Sequence, residues 1–301
     1  MNLNLQEQLS QLKEIKLYSN IDLKKYSTMK LCSQGSLLEI HSLKALQEVV
    51  VLLNKKGVSY QVIGWGANTL LPENLGEKIL LKLKFQNYKI NDFFKLSKNY
   101  TFPACFPLPS LVKMAEKFCL SGWECLTGIP ASIGGATFMN AGTKLGEIGS
   151  LITSVRYVSK SGELKEHCID KSSFSYRQNN FLEASDVIYE VSLTHEGVDE
   201  TVPSKISSYR KLRRETQPLD ESSCGCVFKN FTHESAGKVI DEIGLKGFRY
   251  KNLSISEVHA NFIINHGGAT LEDFSYLVAK VKAKVLEEKG QKIECEVRYP
   301  L

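Results

Sequence analysis

Between Ser42 and Gly57 the apolar residues Leu46, Val49, Val50 and Leu53 recur at the spacing of one helical face, with serine ahead and glycine behind. That pattern predicts a helix, and the following VSYQVIG reads as a buried strand. Pro109 and Ser110 open a second amphipathic helix through LVKMAEKFCLSG, and LITSVRYVSKSGELKEH predicts two strands joined at Ser161-Gly162. DVIYEVSLTHEG adds another strand, which makes the middle of the chain sheet-rich. From about residue 197 the pattern changes. A basic helix, SKISSYRKLRRETQP, is followed by a helix after Ser235. A long helix then starts at the capping sequence Thr270-Leu271-Glu272-Asp273 and presents Phe274, Leu277, Val278, Val281 and Val285 on one face. The alternation of QKIECEVRY predicts a closing strand with Glu294, Glu296 and Arg298 on one side. The architecture expected is α+β.

Composition narrows the class. The chain has 301 residues, 43% hydrophobic and 24% charged, enough for two or three packed units and unlike a disordered or fibrous protein. Its net charge of +5 suits solubility or an anionic small molecule and is too weak to argue for nucleic acid. The first twenty residues lack the apolar core of a signal peptide, and no apolar run reaches the ~18 residues of a membrane helix. A cytoplasmic protein is expected, and its eight scattered cysteines read as reduced thiols.

Two glycine-bearing stretches carry the first candidate chemistry. VIGWGANTLL places Gly64 and Gly66 after a strand, where missing Cβ atoms let backbone N–H groups face an anion, but an ordinary tight turn reads equally well. Thr69 at the third position, with no helix pattern behind it, excludes the dinucleotide fingerprint GxGxxG. LTGIPASIGGATFMNAG sets Gly128, Gly134, Gly135 and Gly142 among small apolar residues, a segment able to approach a flat or phosphorylated ligand closely. Further on, SSCGCVFKN puts Cys224 and Cys226 one residue apart, near Lys229. Metal half-site, redox pair, nucleophile, acid and core filling are all open to that pair. No histidine spacing completes a zinc pattern, so no metal is expected.

The segments GWGANTLL, TGIPASIGGATFMNAG, FSYRQNN, RKLRRETQP, GCVFKN, AGKVIDEIGLKG, HANFIINHGGAT and ECEVRYPL occur in that order from about Thr28 to Arg298. Together they resemble the UDP-N-acetylenolpyruvoylglucosamine reductase family, in its shorter type without an insertion after FSYR. The resemblance implies a vanillyl-alcohol-oxidase-like (PCMH-type) fold binding FAD non-covalently, with a separate α/β substrate-binding domain. It divides the chain into an FAD-binding region at 1–196 in two lobes (1–57 and 58–196), a substrate domain at 197–290 and a catalytic C-terminal strand at 291–301. NADPH is the implied hydride source, and UDP-N-acetylglucosamine enolpyruvate the implied substrate, reduced in peptidoglycan precursor synthesis. The flavin loops carry over to Gly64, Gly66, Ala67, Asn68, Gly128, Ile129, Pro130, Ser132, Ile133, Gly134, Gly135, Asn140 and Gly142. Ala67 and Ala131 depart from the family's usual serine and glycine.

Hydride addition to the β-carbon of an enolpyruvyl ether leaves negative charge on the α-carbon and carboxylate, which calls for a cation. The resemblance gives that role to Arg177, with Tyr176 beside it, although an arginine after a strand is ordinarily a surface residue. The catalytic carboxylate carries over to Glu296, where the residues alone read as a polar strand face. Family members commonly have serine as proton donor in Gly-Ser-Val-Phe-Lys-Asn; this chain has Cys226 there. A thiol is a stronger acid than an alcohol and is chemically competent for the transfer. Cys224 is expected only to pack. Arg210, Arg213, Arg214 and Lys229 are candidates for the diphosphate, with Asn230 beside them, and His259 and His266 are expected to be satisfied polar residues. Two other readings are a flavin oxidase on the same fold and an inactive nucleotide-sugar binder; neither needs Arg177, Cys226 and Glu296 together. No coiled-coil seam is present, and a monomer is expected.

Overall fold

A computed structural model describes residues 3–86 and 88–299. The chain opens with α1 (Leu3–Ser10), β1 (Ile15–Asp22), β2 (Gln34–Ile40), α2 (Leu43–Lys55), β3 (Tyr60–Val62) and β4 (Asn74–Leu83). Ser42 caps α2 by accepting the Ala45 N–H at 3.3 Å, and the helix buries Ala45, Leu46, Val49, Val50 and Leu53. The strands form a sheet in the order β1-β2-β4-β3, with β3 parallel to β4.

The chain continues through β5 (Asn99–Pro103), α3 (Leu108–Phe118), the short α4 (Ile133–Phe138), β6 (Gly142–Thr143), β7 (Gly146–Glu147), β8 (Ile152–Val158) and β9 (Leu164–Cys168). After them come β10 (Phe174–Ser175), β11 (Gln178–Asn179) and β12 (Val187–Thr194). A second sheet runs β5-β12-β8-β9, antiparallel throughout, while β6/β7 and β10/β11 are two-residue hairpins. Beneath it Phe93, Tyr100, Phe102, Phe106 and Trp123 form a ring cluster with neighbouring centroids 4.7–6.2 Å apart.

The last third holds α5 (Val202–Thr216), α6 (Ala236–Glu242), β13 (Arg249–Tyr250), β14 (Leu253–Ile255), β15 (Ile263–Asn265) and α7 (Leu271–Lys289). Thr270 and Asp273 close the expected capping box on α7, and Gly290 ends it in the left-handed conformation.

Packing divides the chain into two units with separate cores. The first comprises the chain up to Ser19, Ser36–Gly64 and Glu77–Lys211; the second comprises Asn20–Gly35, Trp65–Gly76 and the chain from Leu212 on. The change of packing unit falls within α5, and two early segments join the C-terminal unit. Their apolar side chains explain it: Met29, Leu31 and Leu70 lie in the core built by Phe228, Ile240, Phe274, Leu277 and Val281.

Two expected strands differ. Of VSYQVIG only Tyr60–Val62 is strand, and none of those three residues is buried. QKIECEVRY forms no regular strand; Cys295 and Arg298 make isolated bridges to Phe228 and Thr69. The alternation survives in part, with Ile293 and Val297 buried and Glu294 exposed. A chain end flanked by two irregular segments is held by single pairs, and periodicity cannot distinguish that from a ladder.

Candidate functional site

In the first unit the two glycine stretches meet. A Cβ on Gly64 would lie 2.8 Å from Ser132 Oγ, and Ser132 caps α4 by accepting the Gly135 N–H at 3.3 Å. The Gly64 carbonyl accepts from Lys82 Nζ at 2.7 Å, and burial holds the Lys82 ammonium below its ordinary pKa. Gly134 serves packing: its N–H donates to Ala104 O at 2.9 Å, and a Cβ would lie 2.7 Å from that of Ala104. Valine at Gly134 therefore threatens the fold as directly as any ligand contact. Gly142 permits the close β6/β7 pair, since a Cβ there would sit 2.7 Å from Glu147 Cα. Gly128 has φ 75°.

Arg177 is the second residue of the two-residue turn between β10 and β11, at φ 58°, a conformation that favours glycine or asparagine. Its guanidinium is largely buried. Nη1 donates to Glu147 Oε1 at 3.1 Å and to Asn140 O at 3.4 Å, and Nη2 donates to Gly142 O at 3.2 Å. Asn140 also stands in the left-handed region, at φ 47°; its amide donates to Glu147 Oε2 and to Ser175 O at 2.7 and 3.0 Å, and its Oδ1 accepts from Gly149 N. Tyr176 is half-exposed and lies against the guanidinium, 4.8 Å from ring centroid to Cζ.

In the second unit four irregular segments pair in sequence. Leu70 N donates to Arg298 O and Arg298 N to Asn68 O, while the Asn68 side-chain amide donates to Glu296 O at 3.2 Å. Glu296 N donates to Val227 O at 2.8 Å, and Lys229 N to Glu294 O at 2.9 Å. Val227 N in turn donates to Asn261 O, and the buried Asn261 side chain takes both the N–H and the carbonyl of Phe228, at 2.9 and 2.8 Å. This ladder sets the segment carrying Cys226 directly beside the one carrying Glu296. Cys226 is partly exposed, whereas Cys224 is buried, and burial pushes its thiol up to about 12.

The first glycine turn continues here. Gly66 is at φ 66°, and a Cβ there would overlap Tyr26 O and lie 2.7 Å from Ser27 Cα. Among the described residues no acceptor pairs with the N–H groups of Trp65, Gly66 or Ala67. Successive unspent N–H groups at a positive-φ glycine form a concavity suited to a diphosphate. The residues present therefore fit a flavin dinucleotide, with Ala67 contributing backbone only.

A profile described as an FAD binding domain matches residues 36–167, and one described as the UDP-N-acetylenolpyruvoylglucosamine reductase C-terminal domain matches 217–300. Reductases of that name from Aquifex aeolicus and Carboxydothermus hydrogenoformans are 32% and 33% identical to this chain. The alignments cover 93% of both chains in the first case and 97% of both in the second. The chain belongs to the UDP-N-acetylenolpyruvoylglucosamine reductase family. The crystal structure of the Thermus caldophilus reductase superimposes with a TM-score of 0.79 at 30% identity, over 95% of this chain and 99% of that one. The fold is thus the expected FAD-binding one with a further α/β domain, and all thirteen residues carried over for the flavin lie within the matched FAD-binding segment.

The remaining substrate candidates have their own partners. Arg213 Nε donates to Gln217 at 2.8 Å, Lys229 pairs with the exposed Glu294 at 3.0 Å, and Arg210 pairs with Glu116 at 3.0 Å. Asn230 Oδ1 accepts the Ala236 N–H at the start of α6. His259 accepts from Asn261 N, and His266 Nε2 meets Ser254 Oγ at 2.8 Å. Sequence reasoning missed Lys82, Glu147 and Asn261. Only Asn261 had a legible signal, a polar residue inside the apolar run ANFII of a reductase-family motif.

Proposed function

We propose that this protein reduces UDP-N-acetylglucosamine enolpyruvate to UDP-N-acetylmuramate with NADPH, in peptidoglycan precursor synthesis. Family membership supports the activity, and the FAD-binding match supports the cofactor. Bound FAD supplies a two-electron carrier between NADPH and the substrate. Residues 1–196 bind it, 197–290 bind the nucleotide sugar, and 291–301 bring Glu296.

The chain's own residues handle charge and proton. Arg177 binds the substrate carboxylate and stabilises the negative charge that develops beside it, a task its planar fork suits. The Cys226 thiol gives its proton to the α-carbon, and Glu296 stands on the adjacent segment to orient the transfer. Tyr176, Arg213, Lys229 and Asn230 frame the nucleotide sugar, with Lys229 exchanging Glu294 for a phosphate. The observation that supports these roles is the Glu296 N–H bond to Val227 O at 2.8 Å, between the segment carrying Cys226 and the one carrying Glu296.

Free thiols and a nucleotide-linked substrate support a cytoplasmic enzyme. A sequence without a coiled-coil seam supports a monomer, which light scattering tests. No helix among the described residues is long and apolar enough to cross a membrane. Anaerobic spectroscopy tests the activity: the yellow protein is expected to bleach with NADPH and recolour with UDP-N-acetylglucosamine enolpyruvate. Bleaching without recolouring by that substrate overturns the proposal.

A further inference from the structure

The β6/β7 hairpin makes a socket for one side chain. Gly142 and Glu147 pair across it, and both accept from the Arg177 guanidinium, one through its carbonyl and the other through its carboxylate. The second Glu147 oxygen is held at 2.7 Å by Asn140, whose carbonyl also accepts from Arg177. Asn140 further ties this socket to β10 through Ser175 O, two residues before Arg177. Two non-glycine residues at positive φ, Asn140 and Arg177, thus belong to one hydrogen-bonded cluster. Backbone strain of that kind persists only where the surroundings over-determine it, and it concentrates at functional groups.

We propose that Glu147 is a positioning residue for Arg177, fixing the rotation of the guanidinium plane and balancing its charge before a substrate carboxylate arrives. The proposal rests on the reading of Arg177 as the carboxylate-binding cation. An arginine on a two-residue turn has four side-chain torsions to lose, and an anchored fork meets its ligand without that ordering cost. Glu147 acts through Arg177 and touches no reacting atom.

The test uses FAD-loaded Glu147→Ala, Glu147→Gln, Arg177→Ala and the Glu147→Ala/Arg177→Ala double variant. Glu147→Ala is expected to be reduced by NADPH within about twofold of wild type, yet to reoxidise with the enolpyruvyl substrate about 10- to 100-fold more slowly, the scale of a misplaced catalytic group. Glu147→Gln keeps an acceptor for Nη1 and is expected to fall between the two. Adding Glu147→Ala to Arg177→Ala is expected to change nothing more.

Calorimetry gives a readout independent of turnover. Binding of UDP-N-acetylmuramate, which carries the carboxylate, is compared with binding of UDP-N-acetylglucosamine, which lacks it. The preference for the former is expected to drop about tenfold in Glu147→Ala. Equal loss for both ligands, or additivity in the double variant, gives Glu147 a merely structural role and overturns the proposal; Glu147→Gln decides it if Glu147→Ala fails to fold. Wild-type reoxidation by Glu147→Ala alongside a slow Arg177→Ala overturns the proposal alone. Wild-type reoxidation by Arg177→Ala overturns the reading of Arg177, and this proposal with it.

Discussion

Arg177 in the first unit and the Cys226–Glu296 pair in the second are held by different means. Arg177 is set through its own side chain, by the Glu147 carboxylate and the Asn140 and Gly142 carbonyls around its guanidinium, on a strained turn. Cys226 and Glu296 are set by main chain, through bonds that run from Asn68 and Leu70 to Arg298, from Glu296 to Val227 and from Val227 to Asn261. A cation must be aimed at its ligand, and aiming takes several partners that each touch the guanidinium. A small thiol needs only a well-placed Cα, and a ladder supplies that regardless of the side chain it carries. On the proposed roles, the contrast implies that deleting the Cys226 or Glu296 side chain removes chemistry without disturbing geometry, whereas deleting the Glu147 side chain disturbs both.

The sharpest test of this contrast is Cys226→Ala. Turnover is expected to fall about 10²- to 10⁴-fold, the usual worth of a general acid, with the melting temperature and NADPH reduction unchanged. Cys226→Ser is expected to retain substantial activity, and alkylating reagents are expected to inactivate only the thiol enzyme, with substrate protecting. Wild-type turnover by Cys226→Ala gives the proton another source.

Breaking the backbone instead is expected to cost the fold. Gly66→Val puts a branched side chain on the Tyr26–Ser27 backbone at φ 66°, and a loss of about 3 kcal/mol or more in urea unfolding is expected, with FAD content falling alongside. Next comes Asn261→Ala, which leaves the buried N–H and carbonyl of Phe228 unpaired. About 2–3 kcal/mol is expected, and turnover is expected to drop with it. A stable variant with full turnover refutes the ladder as the positioning device.

A smaller effect tests Cys224. Burial penalises the thiolate and pushes the Cys224 thiol up to about 12, from an ordinary value near 9. The raised pKa stabilises the fold fully below the unfolded thiol's pKa, and that stabilisation is lost as pH rises from about 9 toward 12. The urea midpoint is therefore expected to fall more steeply over that range in wild type than in Cys224→Ala. The smallest effect belongs to Glu294→Gln. Its pair with Lys229 is solvent-exposed, and a melting temperature within about 1 °C of wild type is expected.

Legible in the sequence were α2, α3, α5, α6 and α7, the strands β8, β9 and β12, and the family, whereas α1, α4 and the strands β1, β2, β4 and β5 were not read from it. Helical periodicity with Ser42, Ser235 and Thr270 at the caps is a local signal, and those helices fall where it placed them. The order of eight motifs pointed to the reductase family that the comparisons establish, with the cysteine in the acid's place visible as a departure. Only the tertiary structure decided how Arg177 is held, which early segments join the C-terminal core, and that the closing segment is a set of single pairs. Each depends on contacts between residues distant in the chain, such as Asn68 with Glu296 and Met29 with Asn265. A hydrogen bond to a backbone carbonyl leaves no mark on the identity of the residue that supplies it, so the Val227 and Gly142 carbonyls were invisible until the chain was folded.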